Sequence, residues 1–134
     1  MRKREKKEKT CKFCNNEIVN NNIFCNNKCQ QEFQMNQRIN MWLNGKNYLR
    51  GNGLTIPNWI RKFLLEENDN KCSLCGWSQI NEFTGNIPLE IDHIDGDAKN
   101  NLRENLRLLC PNCHSLTKTY KNINNRKSSR TTRK

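Results

Sequence analysis

Apolar residues are sparse in this chain, and their spacing changes along its length. Over residues 11–33 they stand singly or in pairs among polar neighbours, chiefly Phe13, Ile18, Val19, Ile23 and Phe24, too few to bury a core by themselves. From about Asn27 a helical period takes over: Met35, Ile39, Trp42 and Leu43 fall at i, i+4, i+7 and i+8, and Asn44-Gly45 supplies a stop. Gly45, Gly51 and Gly53 mark a flexible connector. A second helix is predicted to begin near Pro57, a residue suited to a first helical turn, with Ile60, Phe63 and Leu64 on one side and Asn68-Asp69-Asn70 ending it. Both stripes read as packing surfaces, the second lying against the back of the segment that follows. Beyond them the pattern predicts a strand from Pro88 to Ile94, a polar loop from Asp95 to Glu104, a strand from Leu106 to Leu109, and a helix opened by Pro111 and running to about Tyr120.

Hydrophobic burial alone does not stabilise this pattern, because only 34% of the 134 residues are apolar. Eight cysteines supply an alternative. The start Met1-Arg2-Lys3-Arg4 is not followed by an apolar export signal, so a reducing, cytoplasmic setting is expected and zinc is favoured over disulfides. Cys11, Cys14, Cys25 and Cys29 have the spacing Cys-x2-Cys-x10-Cys-x3-Cys, which closes a tetrahedral cage in a module of about 20 residues. Cys72, Cys75, Cys110 and Cys113 form two further Cys-x-x-Cys pairs, the first followed by Gly76, which tolerates the positive φ of a tight knuckle. Two structural zinc ions are the expected cofactors.

Charge adds a partner class. The formal net charge is +11, concentrated at both ends: residues 1–50 carry 11 Lys/Arg against 4 Asp/Glu, residues 51–121 carry 8 against 9, and residues 122–134 carry 5 against none. Two four-thiolate zinc sites lower the total to roughly +7. Such a charge favours a polyanion without choosing among DNA, RNA and acidic membranes. No apolar stretch is long enough to span a bilayer.

The second pair of knuckles brackets an ordered set of chemically active residues: Asp92-His93, then Asn105 within Glu-Asn-Leu-Arg-Leu-Leu-Cys, then His114 within Cys-Pro-Asn-Cys-His-Ser-Leu-Thr. Asp95-Gly96-Asp97 between them reads as turn chemistry, lacking the remaining ligands of a calcium loop. Over about residues 56–121 these motifs resemble the HNH endonucleases, especially the small free-standing enzymes of bacteriophages. The resemblance implies a small, zinc-stabilised α+β protein with a treble-clef-like ββα-metal nuclease domain. It also implies that Asp92 and His114 hold one catalytic magnesium or manganese ion, that His93 is the general base, and that Asn105 positions the loop and His93. Phosphodiester hydrolysis in this family leaves 5′-phosphate and 3′-hydroxyl ends. The amino-terminal four-cysteine segment resembles zinc modules joined to some phage members.

The expected organisation is a basic arm (1–10), a four-cysteine zinc finger (11–33), a helix and flexible linker (34–55), the nuclease domain (56–121) and a basic tail (122–134). The substrate implied is double-stranded DNA, held by Arg2, Lys3, Arg4, Arg126 and Lys127 and by Lys118 and Lys121, which on a continuous helix share the His114 face. Adjacent strand residues face opposite sides, so Asp92 and His93 serve one phosphate only where their strand twists or ends. A contrasting reading is a non-catalytic zinc protein that binds nucleic acid, a regulator or phage packaging accessory; an RNA-directed role lacks an aromatic stacking platform.

Overall fold

In the computed structural model residues 9–19, 21–50 and 55–121 are described. The chain divides into two compact units, residues 1–44 and 45–134. Among the described residues no helix is long and apolar enough to cross a membrane.

The first unit is built around its cysteines. Strands β1 (Lys9–Thr10) and β2 (Glu17–Ile18) pair antiparallel, with Lys9 opposite Ile18 and Thr10 opposite Glu17. The turn between them is tied by Cys11 N–H to the Asn16 carbonyl at 2.8 Å and by Asn15 N–H to the Cys11 carbonyl at 3.0 Å. Helix α1 (Asn27–Leu43) is capped by Asn26, whose side chain accepts the Cys29 N–H at 2.8 Å. Phe24 and Phe33 bring the rings of the preceding loop and of this helix to 5.3 Å between centroids. Trp42 is fully buried and Met35 and Ile39 half-buried, but Leu43 is exposed. Leu43 therefore leaves the predicted stripe: a step of 100° per residue separates it from Trp42, and the buried face is narrow.

The second unit is a small α+β arrangement. Pro57 stands just before helix α2 (Asn58–Glu67), which ends on Asn68, and Asp69 and Asn70 then take positive φ. Ile60 and Leu64 are fully buried, Leu65 packs on the core cluster, and the Arg61 guanidinium donates to the Leu89 carbonyl at 2.8 Å. Strands β3 (Glu90–His93) and β4 (Leu106–Leu109) pair antiparallel in the register Glu90–Leu109, Ile91–Leu108, Asp92–Arg107 and His93–Leu106. The core consists of Leu89, Leu108, Leu109, Cys72 and Cys110, with Trp77, Ile87 and Ile91 against it. Hydrophobic residues thus enclose the second cysteine group from the sheet side.

Helix α3 (Pro111–Ser115) is five residues long, so the prediction of a helix to Tyr120 is corrected. The Ser115 hydroxyl donates to the Asn112 carbonyl and the Thr117 hydroxyl to the His114 carbonyl, while Leu116 and Thr117 N–H groups reach back only three residues, to Cys113 and His114. Local hydroxyl bonds and a tightened last turn compete with continuation of the helix.

Candidate active site and metal centres

The two cysteine groups satisfy the geometric demand of a closed metal cage. Within each, the four Sγ atoms lie within 4.8 Å of one another. Tetrahedral Zn–S bonds of about 2.3 Å would place sulfurs about 3.8 Å apart. Cys14–Cys25 at 3.6 Å, Cys25–Cys29 at 3.4 Å and Cys75–Cys110 at 3.7 Å are close to that spacing. Gly76 has φ +75°, and its N–H bonds the Cys72 carbonyl, completing the knuckle.

Their protonation has the uneven pattern of crowded thiols. Burial opposes ionisation of Cys72, but the backbone amides of Cys110, Cys75 and Leu74 outweigh it and bring the thiol down to about 6. Cys11 falls to about 6 in the same way, burial being overcome by the amides of Cys14, Cys25 and Phe13. Neighbouring sulfur pushes Cys113 up to about 12, through Cys75 first and then Cys110, and Cys25 does the same to Cys29. A cation shared by four sulfurs relieves this mutual opposition to negative charge.

Asp92 and His114 are brought together by the pairing of β3 against β4 and by the knuckle that starts α3. Asp92 Oδ1 lies 3.8 Å from His114 Nε2, and the Asp92 side chain is 5% exposed. Two ligands of a divalent ion with bonds of about 2.1 Å stand about 3.0 Å apart when cis and about 4.2 Å when trans, and the Asp92–His114 separation falls between these values. Glu90 Oε2 contacts the other ring nitrogen of His114, Nδ1. Glu90 and Asp92, two residues apart, share one face of β3 and grip opposite edges of a single imidazole. The second Asp92 oxygen is taken by Arg107, its cross-strand partner, with Nε to Oδ2 at 2.7 Å. The Tyr120 ring stands edge-on to His114, centroids 5.5 Å apart.

His93, the last residue of β3, is half-buried, and its Nε2 lies 2.8 Å from Asn101 Oδ1. Asn105 closes the loop between the strands. Its Oδ1 accepts the Asp95 N–H, its Nδ2 donates to Asp95 Oδ1 and to the Asn100 carbonyl, and its own carbonyl accepts the Ile94 N–H. Asp95 is held below the usual carboxylate range by the Asp97 backbone N–H and then by the Asn100 side chain. Gly96, at φ +79°, makes the turn next to Thr119; a Cβ there would stand 2.9 Å from Thr119 Cγ2.

Of the basic residues expected to meet DNA, Lys118 and Lys121 are described. Lys118 and Lys121 are exposed, but they follow the end of α3 and do not continue the His114 face; Lys121 has φ +51°. Leu116, just past the end of α3, is 78% exposed. Arg2, Lys3, Arg4, Arg126 and Lys127 lie outside the described residues, as do Gly51 and Gly53 of the expected connector. Sequence reasoning missed three site residues. Glu90 carried a signal, the period-two spacing from Asp92; Arg107 and Asn101 depended on strand register and loop closure.

Comparison with known proteins bears on the same segment. Residues 80–115 match the family model described as HNH endonuclease. The chain is 43% identical over 77 residues to a protein of Escherichia phage T5 named H-N-H endonuclease F-TflIV, a match covering 54% of this chain and 33% of the relative. The aligned part thus spans about a third of the curated relative's length. No solved structure matches. Strands β3 and β4, helix α3 and the residues Asp92, His93, Asn105 and His114 all lie inside the segment that is similar to HNH endonucleases.

Proposed function

We propose that the chain is a metal-dependent endonuclease that hydrolyses phosphodiester bonds of double-stranded DNA, of the homing or nicking type, with residues 56–121 acting as a ββα-metal nuclease domain. The observation that carries this reading is the approach of Asp92 Oδ1 to His114 Nε2, with Glu90 on the far side of the ring. A carboxylate–histidine contact of this kind fixes the tautomer and raises the basicity of a metal-ligating imidazole. Two protein ligands leave most of an ion's coordination positions open, as catalysis requires and a structural site does not.

Each residue then has a task. Asp92 and His114 hold a divalent ion; magnesium or manganese suits the carboxylate, although imidazole also suits softer metals. That ion, when bound, supplies positive charge to the phosphate and the leaving oxygen. His93 takes a proton from the attacking water as general base. Asn105, through its bonds to Asp95 and Asn100, holds the loop that carries His93 at its start. Two zinc ions in the cysteine cages act as scaffold, consistent with sulfur spacing close to tetrahedral. The finger of residues 11–33, the arm of residues 1–10 and the tail of residues 122–134 contribute DNA affinity through their basic residues. The relative's printed name, an H-N-H endonuclease of a phage, agrees with a phage-type activity.

Incubation of zinc-loaded protein with supercoiled plasmid and with phage or bacterial genomic DNA, in magnesium or manganese, tests this directly. Nicked or linear products bearing 5′-phosphate and 3′-hydroxyl ends are expected, and chelation of the divalent ion should stop their formation. Tight binding to all of these DNAs with no cleavage would favour a regulator or packaging accessory instead.

A further inference from the structure

Asn101 is fully buried in the second unit, on a loop that is otherwise largely exposed. A buried amide must find partners for its oxygen and its nitrogen. Asn101 Nδ2 donates to the Tyr48 carbonyl at 2.8 Å, and Oδ1 faces His93 Nε2 at 2.8 Å. These contacts fix more than position. A carbonyl oxygen only accepts, so the NH2 end of Asn101 must face Tyr48 and the oxygen end must face His93. That oxygen in turn needs a donor, so His93 must carry its hydrogen on Nε2 and leave Nδ1 with the free lone pair.

The amide is itself fixed from behind. Asn101 N–H donates to Asn47 Oδ1 at 3.0 Å, and Asn47 Nδ2 donates to the Lys99 carbonyl at 2.9 Å. The Tyr48 ring packs edge-on against Trp59 of α2, centroids 5.1 Å apart. Residues 47 and 48, more than fifty positions before Asn101, therefore form a brace between α2 and the loop that follows the HNH histidine.

We infer that Asn101 is the positioning residue of the general base: braced by Asn47 and the Tyr48 carbonyl, it holds His93 as the Nε2–H tautomer, with Nδ1 facing the attacking water. This rests on the endonuclease reading above. It assigns to residues 47–48, expected from sequence to be linker, a part in setting the base.

The experiment uses the full-length, zinc-loaded chain. Because the chain contains only two histidines, 15N-histidine labelling gives a spectrum of two imidazoles, and His93→Ala identifies the His93 signals by subtraction. In the wild type with magnesium, neutral His93 is expected to show a protonated Nε2 and a bare Nδ1; predominance of the Nδ1–H form overturns the inference without reference to activity or to any variant. In Asn101→Ala with normal zinc content, the two tautomers should mix and kcat on cleaved DNA should fall about tenfold or more, part of the ~10²–10⁴-fold that general-base catalysis supplies, while KM stays within about twofold. Asn47→Ala, which leaves the His93 contact in place but removes its brace, should give a smaller loss of kcat in the same direction. An Asn101→Ala protein that cleaves at the wild-type kcat overturns the inference and leaves the endonuclease reading standing. A wild type that cleaves no DNA removes that reading and the assignment of a base with it, and the tautomer measurement still reports separately whether Asn101 orients the ring.

Discussion

Arg107 Nε lies 2.7 Å from Asp92 Oδ2, directly across the β3–β4 ladder, so one oxygen of the buried carboxylate is paired while the other faces His114. The pair sets a division of labour. Oδ2 is satisfied by a fixed cation, and under the proposed function Oδ1 is left as a single ligand atom for an exchangeable one.

Arg107→Gln removes the fixed charge and leaves the Asp92 carboxylate, 5% exposed, unpaired. A loss of about 1–3 kcal/mol in stability is expected without divalent ions, below the value for a fully buried pair because Arg107 itself is partly solvated. A divalent ion then takes over the missing positive charge, so manganese should raise the melting temperature of the variant more than that of the wild type. Calorimetry with and without manganese checks this; equal shifts in the two proteins would contradict it.

Glu90→Gln keeps the shape of the side chain that touches His114 Nδ1 but removes its charge. Losing such an outer carboxylate lowers metal affinity by about tenfold or more. Titration calorimetry with manganese measures it, and an unchanged affinity would mean that Glu90 has no part in preparing the ligand.

The cysteine groups carry a pH dependence whose sign follows from their thiols. For the metal-free chain, Cys72 and Cys11 ionise more easily folded than unfolded; their contribution to stability is complete above the ordinary thiol value of about 8.5 and is lost as pH falls through about 6. Cys113 and Cys29 run the other way, contributing below about 8.5 and losing it as pH rises through about 12. Zinc needs thiolates from all four and releases protons when it binds, so zinc affinity should rise with pH, and zinc should leave as pH falls from about 7 toward about 5.5. Competition with a chromophoric chelator across that range is the measurement. Cys72→Ser and Cys11→Ser should each lose one of the two zinc ions, and a variant that kept both would exclude the cage assignment.

Much of this architecture can be read from the chain because its signals are local. Cysteine spacing shows which thiols group together, Asn44-Gly45 marks the end of α1, and the apolar run Leu106–Leu109 marks a strand. What cannot be read depends on pairing across distance. Arg107 lies opposite Asp92 only once the register of β3 and β4 is set, and Asn101 reaches His93 only because the loop folds back on residues 47 and 48. The length of α3 escapes the pattern for a different reason: helical spacing continues through Thr117 and Tyr120, but Ser115 and Thr117 turn their hydroxyls onto the helix's last carbonyls.

The amino-terminal basic segment has a separable consequence. Removing residues 1–33 deletes the first cysteine cage with its arm and should weaken DNA binding while flattening the dependence of log Kd on log salt, because fewer phosphates are neutralised. Cleavage chemistry by residues 56–121 should survive. Filter binding between low and moderate salt gives the slope; an unchanged slope would exclude this segment from the DNA interface.

The most direct measurement compares wild type and His93→Ala, both zinc-loaded, for binding and cleavage of the same DNA in manganese. The expected result is a loss of cleavage of about 10²-fold or more in the variant, with affinity within about twofold. Cleavage by His93→Ala at the wild-type rate would contradict the assignment of His93 as the base, and with it the reading of Asp92, His93 and His114 as one hydrolytic centre.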